Sequence, residues 1–490
     1  MTIPTNCLKI QTSSSGQYQN IITNGVTSAL YVSNNYGKTW SLATGANNNN
    51  TNWTDLDISS DGKHQVACFA SNSGLIYLST DYGNTWSATN APGGWWSSIC
   101  ISSNGKYLLA NSSSGAISGF IYVSSDYGAT WATANGTPIY TQLWNAIAIS
   151  SDGNCQTAAI TTIGIYRSID FGDSWYFVNG PTYCDRLSIS SIGLYQTATP
   201  YTNGIYRSSD SGTTWTHVTN FPANKTVTKL IISSDGKYQT VTTELSIIYV
   251  SSNFGVDWTP VNTVPSITWL SLTMSESGKY QTACGGNNIY VSDNFGETWG
   301  VLPGYPAGNW MCVGMSSNGQ YQTAAGTTVY TWTNVICLLE TCNLMLADGS
   351  YKNVKSIKAG DILRSALNGK DLRVLHCGYN VVHDLSRVPA SNHPMHIPTG
   401  FFGEGSPSQD VFISGHHRLF FTLNETIVGI QVFKLLPSNN TLSMDKALEA
   451  INSDILRYFH VEVEGGKNAV FCDGLPAETL NAGEWDNHDN

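Results

Sequence analysis

"SSDGKYQTVTTELSIIYVSSNFGVDWT", residues 233–259, decides how most of this chain is read, because each of its halves recurs. The first half returns as SSSGQYQ, SSDGKHQ, SSNGKYL, SSDGNCQ, SSIGLYQ, SSDGKYQ, SESGKYQ and SSNGQYQ, with glycines at 16, 62, 105, 153, 193, 236, 278 and 319. Successive glycines are 40 to 48 residues apart. The second half returns seven times, as SNNYGKTW, STDYGNTW, SSDYGATW, SIDFGDSW, SSDSGTTW, SSNFGVDW and SDNFGETW.

Short alternating segments at a period of 40–45 residues fit four strands per unit, the size of one β-propeller blade. In one unit the strands are WNAIAIS (144–150), CQTAAI, GIYRS and a fourth beginning at Trp175. Glycine supplies the positive φ of each turn, Asp, Asn or Ser accepts local backbone N–H groups, and Trp buries a large apolar surface. Eight first halves and seven second halves predict eight blades, with seven as the alternative phasing. The last unit, residues 310–334, stops after three strands, and residues 2–5 are candidates for the strand that closes the ring.

The second turn resembles the Asp-box, or BNR repeat, of sialidase-like propellers. The resemblance implies that Asn35, Asp81, Asp126, Asp170, Asp210, Asn253 and Asn294 are acceptors in peripheral turns, not catalytic or calcium-binding groups. Asparagine at three of the seven positions suits a hydrogen-bonding role that needs no charge. Sialidases clamp a carboxylate with three arginines, and residues 1–336 hold only Arg167, Arg186 and Arg207. Arg167 and Arg207 share a repeat position beside the peripheral turn, so the propeller is not expected to be a sialidase. A protein or glycan ligand for it stays open.

Composition sets outer bounds. Only 12% of the 490 residues are charged, and the net charge is −11, which argues against nucleic-acid or anionic-membrane binding through bulk electrostatics. The start, MTIPTNCLKIQTSSSG, has neither a basic nor an apolar leader segment, and no stretch is apolar enough to span a bilayer. Location is left between intracellular (cytoplasmic) and virion- or surface-associated. The eleven cysteines are scattered singly, without zinc spacing, so no metal or other cofactor is expected. Those before residue 337 read as buried reduced thiols, which suggests a reducing compartment.

At "NVICLLETCNLMLADGSYKNVKSIKAGD", residues 334–361, the repeats end. Charged residues number 27 of 336 before Cys337 and 30 of 154 from it onward. This divides the chain into a propeller at 1–334, a second all-β domain at 337–482 and a polar tail at 483–490. A strand, an Asp348-Gly349 turn, a second strand and a Gly360-Asp361 turn are legible in the new segment. Later blocks are HPMHIPTGFFG (393–403), DVFISGHHRLFF (410–421) and RYFHVEVEGGKNAVFCDGLPAETL (457–480).

Together these blocks resemble a Hint domain, the self-cleaving module of hedgehog C-terminal regions and inteins. The resemblance implies that Cys337 attacks the carbonyl of Ile336 and turns the peptide bond into a thioester. Ser414 and His417 match the Ser/Thr-x-x-His block, Thr341 belongs to the opening block, and His460 is a family position. Asp473 and Glu478 read as turn caps, Cys342 as packing, and His416 as pointing away from His417. Nothing follows the terminal "EWDNHDN", so splicing is not expected. The thioester would pass to an outside nucleophile: water, a thiol, an amine or a hydroxyl. The alternative is a non-catalytic structural or ligand-binding propeller with an inactive Hint appendage.

Overall fold

The computed structural model describes residues 6–24, 28–48, 52–114, 119–138, 143–201, 204–222, 225–244, 247–302, 305, 308–333, 338–339, 342–358, 360–364, 371–382, 394–397, 411–414, 418–423, 426–431, 456–463, 469–472 and 475–478. Two compact units emerge, Met1–Leu302 with Pro306–Thr331, and Pro303–Tyr305 with Trp332–Asn490.

The first unit is an eight-bladed propeller, not a seven-bladed one. Seven blades are four-stranded antiparallel meanders, and the eighth, Trp310–Met315, Tyr321–Gly326 and Val329–Thr333, has three strands among the described residues. Blade four is typical: Trp144–Ile149, Gln156–Ile160, Gly164–Ser168 and Tyr176–Val178. The second strands are wholly buried, the fourth largely exposed, as expected of a wedge packed between neighbours.

Three devices join blade to blade. First, the Ser-Ser-Asp-Gly turns bond to one another through the backbone. Ser14 N donates to Ser60 O, Ser60 to Ser103, Ser103 to Ser151, Ser151 to Ser191, Ser191 to Ser234, Ser234 to Glu276, Glu276 to Ser317, and Ser317 back to Ser14. This belt of eight bonds closes the ring. Second, the glutamine that follows seven of the eight turns (blade three has Leu108 there) donates to the turn glycine's carbonyl, as Gln239 Nε2 does to Gly236 O at 3.1 Å. Its oxygen accepts from a threonine of the preceding blade: Thr157 to Gln196 at 2.8 Å, Thr197 to Gln239 at 2.6 Å, Thr240 to Gln281 at 2.6 Å, Thr282 to Gln322, and Thr323 to Gln19 at 2.7 Å. Where the preceding blade offers Asn20 or Leu109 instead, the oxygens of Gln65 and Gln156 are buried without a partner.

Third, the residue before that glutamine, or before Leu108 in blade three, stacks on the aromatic of the next blade's second turn. The pairs are Tyr18–Tyr82, His64–Tyr127, Tyr107–Phe171, Tyr195–Phe254, Tyr238–Phe295 and Tyr321–Tyr36, with ring centroids 4.2 to 4.9 Å apart. Those second-turn aromatics hold φ of 61° to 64°, a conformation that normally favours glycine, and the stacking offsets its cost. At the blade four–five junction both partners change: Cys155 meets Ser211, its Sγ 3.8 Å from the serine carbonyl.

The ring is also closed covalently. Cys7, opening the first strand of blade one, forms a disulfide with Cys312 in the first strand of blade eight. This corrects the expectation of reduced thiols throughout. Residues 305 apart in sequence become neighbours only when the ring closes, so their spacing carries no signal. The pair removes the ground for reading a reducing compartment from cysteine spacing. Residues 2–5, proposed above as the closing strand, lie outside the described residues.

Of the second-turn tryptophans, Trp40, Trp86, Trp175, Trp258 and Trp299 are buried, and each donates its indole N–H to the turn glycine's carbonyl. Trp131 differs: it is only partly buried and its buried Nε1 has no partner. Trp175→Ala is therefore expected to destabilise the propeller by about 3–5 kcal/mol, a large core truncation. Trp131→Ala should cost visibly less. Urea midpoints of the two variants measure the difference, and equal shifts would contradict this assignment of burial.

Candidate functional site

The second unit is all strand apart from one 3-10 turn, Val354–Ser356, among the described residues. Asn343–Met345 pairs with Tyr351–Asn353 across the Asp348-Gly349 turn. Gly349 holds φ 86°, and Asp348 accepts from Ser350 N at 2.9 Å and Ser350 Oγ at 2.6 Å, bonds that hold its carboxyl below the usual range. Asp361 follows Gly360 and accepts from Lys352 Nζ at 2.7 Å and Lys358 N at 2.9 Å. Partial burial opposes the Asp361 charge, but these partners outweigh it and its pKa is lowered. Cys342 is buried and its carbonyl accepts from Val354 N, which fits a packing role.

Among the described residues, two six-stranded sheets organise the remainder. In one, Leu338–Leu339 is inserted between Val411–Ser414 and Leu456–Val463. Leu338 pairs with Ile413 on one side and with Phe459 on the other, both antiparallel. Ser414 and His460 directly follow those two partners. Ser414 pairs onward with Pro394, and His460 with Gly378. Two residues distant in sequence thus stand at the same level of one sheet, flanking the short strand that begins just after Cys337. Glu478 ends Leu475–Glu478, where it pairs with Ala469. Ile336, Cys337, Thr341, His416, His417 and Asp473 lie outside the described residues.

The seven turn residues of the propeller act as acceptors. Asp81 accepts from Ser79 Oγ at 2.8 Å, Thr85 N at 2.9 Å and Thr85 Oγ1 at 2.6 Å. Asp126, Asp170 and Asp210 repeat this with Thr130, Ser174 and Thr214. Asn35, Asn253 and Asn294 accept the same serine hydroxyl and backbone N–H bonds. Burial opposes the four aspartates slightly, and these hydrogen bonds outweigh it and lower their pKa values. Arg167 reaches Ser211 O in the next blade's turn at 3.2 Å, consistent with a peripheral place.

Sequence reading missed the charged groups on the inner strands. Lys9 Nζ meets Asp55 at 2.6 Å, Gln11 Nε2 meets Asp57 at 3.0 Å, and the two carboxylates cross to Ile99 N and Ile101 N of blade three at 3.0 Å. Aligning the repeats on the turn glycine, seven and five residues upstream, would have found them. Burial raises the Asp57 pKa to about 6, against the pull of Lys9 and two backbone N–H groups. An unfolded aspartate titrates near 3.9, so the folded state holds the extra proton between about pH 4 and pH 6. Stability from this group therefore falls as pH rises through that window. Asp57→Asn is expected to flatten the fall in melting temperature from pH 4 to 6; an unchanged slope would sink the assignment.

Burial pushes the thiols of Cys68, Cys184 and Cys284 up to about 12 and that of Cys155 to about 11, so none is a ready nucleophile. Among the described residues no helix is long and apolar enough to cross a membrane.

An all-β ring followed by two sheets, one of which holds a short opening strand between two of its others, defines a propeller fused to a small β module. Residues 336–484 match the family model described as the Hint domain, so the chain joins an eight-bladed propeller to a Hint domain. Solved structures similar to this chain include a GH74 xyloglucanase from Xanthomonas campestris, at 12% identity and TM-score 0.49 over 76% of this chain. The match spans 58% of the xyloglucanase's own length. YCF48 from Cyanidioschyzon merolae is similar at 13% identity and TM-score 0.45, over 60% of this chain and 97% of that one. YCF48 bound to D1 peptide is similar at 14% identity and TM-score 0.45, over 68% of this chain and 96% of that one. No curated protein matches the chain.

Proposed function

We infer that the Hint domain cleaves its own chain between Ile336 and Cys337 and releases or transfers the propeller. The observation that carries this reading is the central position of Leu338 between Ile413 and Phe459, next to Ser414 and His460. In an antiparallel ladder, the residue before a given one faces the residue after its partner. Cys337 directly precedes Leu338 in sequence, and Ser414 and His460 directly follow Leu338's two partners, so these are the groups we assign to the Cys337 thiol.

The chemistry then requires few groups. The Cys337 thiolate adds to the Ile336 carbonyl carbon, the C–N bond breaks, and the departing nitrogen takes a proton to become the free amine of Cys337. The Ile336 acyl group is left as a thioester on Cys337 Sγ. His417 is the proposed proton donor to that nitrogen, a task suited to a group that titrates near neutrality. Thr341 and Ser414 are proposed to orient the scissile bond, and His460 to assist. A second nucleophile takes the acyl group and returns the thiol.

Mass spectrometry of freshly made protein tests this. Dithiothreitol or hydroxylamine should accelerate formation of fragments 1–336 and 337–490, because both intercept thioesters and leave ordinary amides intact. If the purified chain keeps its full mass after days with excess thiol at neutral pH, the module is a non-catalytic appendage.

A further inference from the structure

We propose that the central channel of the propeller binds an oxyanion, a carboxylate or phosphate group, between Arg186 and Lys229. Both residues lie seven positions before a turn glycine, on the first strands of blades five and six, Cys184–Ile189 and Val227–Ile232. Those blades are adjacent: Ser191 N bonds to Ser234 O, Ser191 Oγ to Ser234 Oγ at 2.8 Å, and Thr197 to Gln239. Two cations thus stand at the same level on neighbouring inner strands.

Their neutralisation is unequal to that of the acids in the same ring. Asp55 accepts from Lys9, Leu56 N and Ile99 N, and Asp57 from Gln11, Ile58 N and Ile101 N, so both carboxylates are fully engaged. Arg186 has one carboxylate nearby, Asp185 at 3.8 Å, and its Nε is buried without a hydrogen-bond partner. The Lys229 ammonium makes no hydrogen bond or ion pair among the described residues. Burial first, and then the Arg186 charge, lower its pKa. Two partly desolvated like charges that share only Asp185, on the Arg186 side, as counter-charge destabilise each other, and a bound oxyanion would relieve that. Guanidinium and ammonium together offer directional donors and a point charge to one oxyanion. At the turn end of these strands, three residues along, Ile189 and Ile232, with Met274 of the next blade's first strand, line an open cavity of about 250 Å³ that also takes in Glu276. Glu276 is held by Ser317 Oγ at 2.7 Å.

Isothermal titration of the full chain with inorganic phosphate, and separately with citrate, at constant ionic strength in chloride, tests the site. Arg186→Gln and Lys229→Gln should each weaken binding by about ten-fold or more, the ordinary loss for one charge-assisted hydrogen bond. Arg186→Lys should retain most of it, and Lys63→Gln, an exposed lysine elsewhere, all of it. Phosphate without citrate, or the reverse, identifies which group the site takes. No binding of either anion, or binding unaltered in Arg186→Gln, overturns the proposal. A readout independent of variant folding is the titration of Lys229 in lysine-labelled protein by NMR: phosphate should raise its pKa, and an unmoved titration would overturn the site as well.

Discussion

Cys337→Ala is expected to leave the chain at its full mass under every condition that cleaves the wild type. Without the thiol no thioester can form, so thiols and hydroxylamine have nothing to intercept. The effect is all-or-none, whereas His417→Ala should slow cleavage by roughly 10²–10⁴-fold, the usual contribution of a positioned acid–base group. Cys337→Ser should leave a slow remnant through an ester. Cys342→Ala is the internal control. Cys342 is buried in the strand region that supports the Asp348-Gly349 hairpin, so its loss should affect stability before rate. Cleavage that persists in Cys337→Ala but disappears in Cys342→Ala would move the nucleophile five residues along the chain. Cleavage that persists in both would rule out a thioester at this joint.

The second large effect concerns the ring itself. Cys7→Ser, made in the Cys337→Ala background so that reductants cannot trigger cleavage, should lower propeller stability by several kcal/mol. The disulfide closes a loop between residues 305 apart. Chain-entropy arguments give about 4.7 kcal/mol for a 100-residue loop and somewhat more for a longer one, with roughly 2–5 kcal/mol typical of native disulfides. Reduction of the parent should reproduce the loss, and reduction of Cys7→Ser should add nothing to it. A melting temperature of the parent indifferent to reductant would mean that the backbone belt and the Thr323–Gln19 bond close the ring unaided.

The blade count, the strand order within a blade and both kinds of turn were legible because they are local: each is written in a run of about eight residues and repeated. The glutamine–threonine bonds were half legible. Gln239 and its equivalents stand out in the repeat, but their partners sit one blade away, and only the ring brings Thr197 to Gln239. The disulfide was illegible for the same reason, taken to the full circumference. Trp131 sits in the same motif as Trp175 yet is only partly buried, because burial depends on the neighbouring blade and not on the motif. In the Hint domain the four blocks announced themselves by composition and order. The pairing of Leu338 with both Ile413 and Phe459 is a matter of sheet topology, which no spacing in the sequence encodes.

The exchange of Cys155 and Ser211 for an aromatic pair bears on how such a ring can be edited. Those two residues belong to different repeats yet complement each other across one junction. Deleting blade five whole would remove Ser211 and set Cys155 against Phe254, replacing a thiol–carbonyl contact with a half-empty stack. The partners of each such pair stand farther apart in sequence than one repeat, as Cys155 and Ser211 or Tyr195 and Phe254 do, so a cut one repeat long cannot carry a pair along intact wherever it falls. A whole-blade loss re-pairs one junction and a cut out of phase with the blade re-pairs two, so a ring of this kind would grow or shrink with least damage by whole blades, and each such event would leave one junction to be re-matched.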